Sequence, residues 1–158
     1  MELKDKVPPH NLEAEKATLG AILLDWGSIG DVVTYLRGDN FYSQQNQIIF
    51  ESLTGLFAKG IRGDMLTLID DLTKTGNLEK AGGMAYVSSL TDTVPTSSNV
   101  DYYAKIVLDN STRRNLIKIS SDIKILTPFL DNFGASVLQL SNFKGSAPLG
   151  NDCLRFQF

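Results

Sequence analysis

Cysteine and histidine, two residue types that often carry out catalysis or bind metals, occur only once each in this 158-residue chain. Cys153 is the single cysteine and has no base beside it, and one histidine, His10, cannot form a histidine-based metal cluster. The acids Asp70 and Asp71 would suit acid–base chemistry, but adjacent residues of a helix point in different directions. We therefore interpret the pair as a solvent-exposed helix surface, and we predict no catalytic or metal-binding residue.

Nucleotide hydrolysis of the P-loop type needs the pattern G-x-x-x-x-G-K-[ST], which holds phosphates and magnesium with backbone amides, a lysine and a hydroxyl. That pattern does not occur in the sequence. The two lysine–glycine runs, at residues 80–83 and 144–146, lack both its spacing and its strand-to-helix context. We expect no cofactor site in this chain and no ATPase activity from it on its own.

The charge balance limits the classes of partner. A net charge of −3 argues against a protein whose main task is to neutralise phosphates, so we expect only weak, salt-sensitive DNA binding. Arg113, Arg114 and Lys118 form a short basic cluster, whose simplest interpretation is a solvated helix face. Salt bridges to a subunit or partner come second and nucleic-acid contact third. One alternative function is that of a stand-alone helical nucleic-acid-binding domain, which would use this cluster and Lys105.

The elements that would position these residues are helices. Asn11 and Asp64 stand where N-caps belong, Gly60 and Gly76 stand where helices end, and apolar residues recur at helical spacing between them. The predicted fold is all-α, with five or six helices in a small globule and then a long helix that reaches Lys124. The spacing places the following side chains in one core: Leu19, Ile22, Leu23, Val33, Leu36, Ile49, Phe50, Leu53, Leu68, Leu72 and Leu90.

Local signals predict three further features. Ser28, three residues before Asp31, resembles a capping box for a helix that continues through Leu36. Gly20, among the alanines of the first helix, would let a neighbouring helix come close. The polar run at residues 110–112 could break the long helix in two.

The composition changes beyond Lys124. Residues 125–158 hold only four charges but five of the eight phenylalanines. Pro128, Gly134 and the later glycines and proline divide this segment into pieces too short for stable isolated helices. We predict an irregular, poorly specified tail. A frameshift, a degenerate gene copy or a cloning artefact would each produce such a change of composition after Lys124.

Five stretches carry a resemblance that goes beyond helix periodicity. In order they are PPHNLEAE with LGAILLD (8–25), Phe41-Tyr42 with Ile48-Ile49-Phe50, DMLTLI (64–69), GGMAYVSSL (82–90) and VPTSSNVDYYA (94–104). Together they are similar to the N-terminal domain of the DnaB-type replicative DNA helicases of bacteria, over about residues 7–124, and the tail departs from that family. Ser43 and Asn46 stand where the family often has a basic residue and a histidine, which predicts altered local surface contacts.

The resemblance implies a helical globule followed by a helical hairpin that pairs with a neighbour's hairpin, so that six domains form a collar of dimers. It implies like subunits and primase as partners, DNA contact only indirectly through the full helicase, no membrane, and a cytoplasmic location. ATP and magnesium belong to the family's motor domain, whose motif is missing here. The expected function is subunit assembly and primase docking in DNA replication.

Tyr86, Ile117 and Ile123 stand where the resemblance places apolar primase-contacting positions, and the alternative is that each lies in the core. Arg113, Arg114 and Lys118 join them as candidates for contact with primase or a neighbouring subunit.

The predicted segments are an extended lead-in (1–10), a helical globule (11–110), a first hairpin arm (111–124) and an atypical tail (125–158). Because the tail replaces the second arm, we expect a monomer or weak dimer and reduced primase docking.

Overall fold

The computed structural model describes residues 7–92, 94 and 97–141, with 97 and 124–141 as backbone only. Within them the chain forms helices and no strand, and the helices are α1 (Leu12–Leu24), α2 (Ile29–Val32), α3 (Gln44–Ala58), α4 (Met65–Lys74), α5 (Gly83–Asp92) and α6 (Val100–Ser141). The predicted all-α fold is confirmed. The chain divides into two compact units, Met1–Ile117 and Lys118–Phe158.

Helix α1 begins where the sequence predicts and packs closely on α5. The backbone of Asn11 is extended, and its side-chain oxygen accepts a hydrogen bond from the Ala14 N–H at 3.0 Å. Gly20 brings α1 so near to α5 that an added Cβ would overlap the Leu90 carbonyl oxygen and crowd Val94. The prediction that small residues admit a neighbouring helix is therefore confirmed.

Helix α2 is shorter than predicted. The backbone of Ser28 is helical (φ −69°, ψ −19°) and its side chain makes no cap hydrogen bond, so the expected capping box with Asp31 is wrong. Turns follow after Val32, yet both Val32 and Leu36 are buried. The apolar spacing thus identified the core-facing side chains, and a succession of turns can bury them as well as a helix does.

The predicted core is confirmed at nine of its eleven positions. Leu23 and Val33 are the exceptions, because they are half-buried and pack against the edge of the buried cluster. Helix α4, which contributes Leu68 to the core, begins with reciprocal bonds between Asp64 and Thr67. The Thr67 N–H donates to the Asp64 carboxylate at 2.8 Å, and this bond holds the pKa of that carboxyl below its usual range.

Helix α6 passes through residues 110–112 without a break, so the predicted division does not occur. The Asn110 amide and the Thr112 hydroxyl each donate to a backbone carbonyl four residues earlier, at 2.9 Å. Ser111 is buried and its hydroxyl accepts from Asn40 Nδ2 at 2.9 Å. Polar side chains that bond to the preceding turn can remain inside a helix, which explains the continuity.

The same helix continues past Lys124 to Ser141, so the prediction of an irregular tail is wrong for residues 125–141. Lengthening an existing helix gains one hydrogen bond per residue without a new nucleation cost, so segments too short to fold alone can extend one. Residues 1–6 of the lead-in and 142–158 of the tail, with Cys153, lie outside the described residues. The division into globule and hairpin arm stays a prediction. In the part that the structure describes, no helix has the length and apolar character to cross a membrane.

Candidate functional site

The N-terminus of α3 is capped by a side chain from another helix. Glu15 of α1 is only 2% exposed, and its carboxylate accepts hydrogen bonds from the backbone N–H groups of Tyr42 (2.7 Å) and Ser43 (3.2 Å). It also accepts from Asn46 Nδ2 at 2.8 Å. Ser43 itself makes no side-chain cap bond. The helix dipole favours a negative charge at this end, so both the charge and the oxygens of Glu15 stabilise the start of α3.

Tyr86, a predicted partner-binding residue, extends this buried network to α5. Its hydroxyl donates to Asn46 Oδ1 at 2.6 Å, and its ring lies against Gly82, where an added Cβ would collide with it. Burial raises the pKa of the Tyr86 hydroxyl, and the charge of Glu15 raises it further, so the hydroxyl stays a donor. Asn46 is fully buried, so the departure from the family at this position lies in the core and not at the surface.

Arg114 is half-buried and contacts the globule, so a solvated face is the wrong interpretation for this residue. Its Nη1 donates to the Pro9 carbonyl at 2.9 Å, and its Nη2 donates to the Asn40 carbonyl at 2.5 Å. The guanidinium carbon lies 5.8 Å from the centre of the Tyr42 ring, within the range of a cation–π contact. Arg114 therefore joins α6 to the lead-in and to the turn before α3.

The other basic side chains of this part of α6 are paired along the helix. Arg113 Nη2 lies 2.7 Å from Asp109, and Lys105 Nζ lies 2.6 Å from Asp101, each pair one turn apart. Arg113 and Lys105 therefore face acids and Arg114 faces backbone carbonyls, whereas Lys118 is exposed, so only part of the positive charge of this helix is paired with acids.

Exposed apolar side chains lie in the middle of α6. In the first unit, Leu116 is 61% exposed and Ile117 is 48% exposed. In the second unit, Ile119 and Ile123 lie four residues apart on one helix face and are more than half exposed, and Lys118 is exposed as well. Ile117 and Ile123 are therefore not core residues in this chain, and exposed apolar groups of this size are typical of interaction surfaces.

The predicted partner-binding residues of the first unit lie on two different helices, α5 and α6. The hydrogen bonds and ring contacts of the described residues join Tyr86 to α1 and α3, whereas Arg113 and Ile117 lie on α6. Within the same described ranges, no group of acids, histidines or cysteines could hold a metal ion. The exposed apolar side chains of α6 can bury apolar area against a partner.

The fold and the surface define a small all-helical domain continued by a helix that presents apolar side chains to solvent. The chain belongs to the DnaB-like helicase N-terminal domain family, whose model matches residues 7–109. The predicted resemblance to the replicative DNA helicases of bacteria is thereby confirmed.

Full-length helicases show the extent of the match. The chain is 48% identical over 119 residues to the replicative DNA helicase DnaB of Treponema pallidum, an alignment that covers 75% of this chain and 27% of that relative. It is 32% identical to DnaB of Geobacillus stearothermophilus over 93% of this chain and 34% of the relative. The second alignment extends beyond Lys124, although the sequence motifs predict that the resemblance ends there. The chain thus spans about a quarter to a third of the length of these two relatives.

Solved structures share the fold. The N-terminal domain of DnaB helicase from Mycobacterium tuberculosis is 33% identical, with a TM-score of 0.74 over 77% of this chain and 84% of that one. The N-terminal domain of DnaB helicase from Helicobacter pylori, determined together with its interactions with primase, is 19% identical. Its TM-score is 0.63 over 73% of this chain and 89% of that one.

Proposed function

We propose that this chain serves subunit assembly and primase docking in DNA replication, as the collar domain of a replicative DNA helicase. The observation that carries the proposal is the pair of exposed apolar side chains, Leu116 and Ile117, on a helix that is bonded to the globule. Family membership supports it, and so does the interaction with primase described for the Helicobacter pylori domain of the same fold.

Burial of these side chains would supply the binding free energy. A few side chains that become enclosed at the apolar centre of an interface account for most of its affinity, while rim charges tune specificity. Arg113 and Lys118 are exposed on the same helix and are suited to that second role. In this proposal the partners are like subunits and primase, and DNA is contacted only through the complete helicase.

We assign the ATP and magnesium of the family to its motor domain and propose that this chain alone does not hydrolyse ATP. The absence of the P-loop pattern from its sequence supports this assignment. The alternative, a stand-alone nucleic-acid-binding domain, is disfavoured because Arg113 and Lys105 are already paired with acids of their own helix.

Ile117→Asp tests the proposal, with Leu66→Asp as the matched control. Both side chains are exposed and apolar, but Leu66 lies on α4 and is 77% exposed. We expect Ile117→Asp to weaken primase binding in titration calorimetry about tenfold or more, because a charge would be buried at the interface. Leu66→Asp should leave the affinity unchanged. Equal affinity of primase for Ile117→Asp and the unchanged chain would refute the docking role.

Self-association is measured separately by size-exclusion chromatography with light scattering over a range of concentrations. We expect a monomer or weak dimer that Ile117→Asp shifts toward monomer. A stable hexamer of this chain would contradict the expectation of a weakened assembly.

A further inference from the structure

The lead-in of the described chain is held at three places although it has no helix or strand of its own. The Pro9 carbonyl accepts a hydrogen bond from Arg114, and the His10 ring stacks on Tyr42 with centroids 4.3 Å apart and planes 17° from parallel. Asn11 then caps α1. Consecutive prolines restrict the backbone before His10, so these attachments fix a segment that is already stiff.

Arg114 is the one residue that ties this segment to α6 by side-chain hydrogen bonds in the described part of the chain. Its two donors reach carbonyls on separate segments, at Pro9 and Asn40, and none of the ion pairs of the described residues includes it. The planar guanidinium can bond both carbonyls at once while its face meets the Tyr42 ring. It acts as a geometric clamp and not as half of a charge pair.

We propose that residues 7–11 form a strap that Arg114 holds closed, and that the closed strap fixes the segment of α6 that carries Leu116 and Ile117. Arg114 lies only two and three residues before these side chains, so a clamp at this position restricts the helix where they project. A restricted surface loses less conformational freedom when a partner binds. The strap itself follows from the contacts, and its consequence for docking rests on the proposed function.

The coupling acts in both directions. If the closed strap favours binding at Leu116 and Ile117, then a bound partner must stabilise the closed strap by the same free energy. Anything that displaces the lead-in from Arg114 would weaken docking without touching the docking residues. The strap is therefore a conformational control that acts on α6 at Arg114.

The single histidine of the chain supplies a direct readout of the strap. Its ring protons lie over the Tyr42 ring and should resonate upfield of their positions in an unstructured peptide, and Tyr42→Leu in the full chain marks the position without the ring. We expect Arg114→Gln to move the His10 resonances to the unstructured position while the far-ultraviolet circular dichroism stays the same. Arg113→Gln is the matched control, because Arg113 pairs with Asp109 on its own helix, and it should leave the His10 resonances in place.

Unchanged His10 resonances in Arg114→Gln would overturn the strap, and so would an equal displacement in Arg113→Gln. If Arg114→Gln does not fold, Arg114→Lys replaces it. A lysine cannot bond both carbonyls in the same way, so the upfield displacement should decrease, and an unchanged displacement would again overturn the proposal.

Primase affinity measured on the same variants separates the two proposals. We expect Arg114→Gln to weaken binding severalfold and Arg113→Gln to weaken it less. Release of His10 without any loss of affinity would leave the strap but refute its influence on docking. A failure of Ile117→Asp to weaken binding would refute the docking surface itself.

Discussion

Removal of the Glu15 carboxylate should destabilise the globule much more than removal of an exposed acid from the same helix. In Glu15→Ala, the N–H groups of Tyr42 and Ser43 and the amide of Asn46 lose their shared acceptor. The start of α3 also loses the negative charge that its dipole favours. The change therefore affects the junction of α1, α3 and α5 and not only one helix.

The magnitude can be worked from the burial of each donor. The Asn46 amide is fully buried, and an unsatisfied buried donor costs about 1–3 kcal/mol. The Tyr42 and Ser43 N–H groups are only partly buried, so water can replace most of their bonds, which leaves about 1 kcal/mol of the kind lost with a helix cap. We expect Glu15→Ala to lower the free energy of unfolding by about 3 kcal/mol, a large share of the stability of a small domain.

Urea unfolding, followed by circular dichroism and by the fluorescence of the single tryptophan, measures this change. Glu13→Ala is the control, because Glu13 lies in the same first turn but is exposed. Glu13→Ala should lower the free energy of unfolding much less than Glu15→Ala does. A Glu15→Ala variant as stable as the unchanged chain, or a loss equal to that of Glu13→Ala, would refute the role of Glu15 as the cap of α3.

Two further predictions concern helix packing and pH. Gly20→Ala should destabilise the chain by about 1–3 kcal/mol in the same unfolding assay, because its Cβ would meet the Leu90 carbonyl, whereas Gly55→Ala, with open space around it, should be neutral or stabilising. Equal effects would contradict the close packing of α1 and α5. The raised pKa of Tyr86 favours its protonated form in the folded chain, so its contribution is complete below about pH 10 and is lost as the pH rises through the raised value. Tyr86→Phe should therefore lose less stability than the unchanged chain between neutral and strongly alkaline pH, and an identical alkaline loss would refute this.

The sequence predicts the helices and most of the core because both depend on local spacing. It also contains a signal for the buried cap. Leu12, Glu15, Leu19 and Ile22 follow one another at helical spacing, so an acid occupies a position on the apolar face of α1. A carboxylate there must find donors in the core, but the spacing cannot say that those donors come from residues about thirty positions away.

The errors at α2 and α6 have a different origin. Both predictions treat each segment as if it were isolated. In an isolated segment, polar residues and prolines end a helix, and apolar residues at helical spacing continue it. In the folded chain, α6 gains from a helix already nucleated, and the side chains of Asn110 and Thr112 bond to its own turns. Leu36 is buried after α2 has ended, because contact with the core and not helix continuation fixes its place.

The strap and the cap of α3 both depend on the short run from Pro9 to Glu15. The Pro9 carbonyl accepts a hydrogen bond from Arg114 of α6, and Asn11 caps the start of α1. The Glu15 carboxylate accepts hydrogen bonds at the start of α3. This one short segment therefore positions three helices, and a change in its register would disturb all three. An inserted residue between Asn11 and Glu15 would rotate the carboxylate by about 100° around α1 and away from α3. Such an insertion should cost at least as much stability as Glu15→Ala, and a smaller loss in urea unfolding would show that the segment does not set the register.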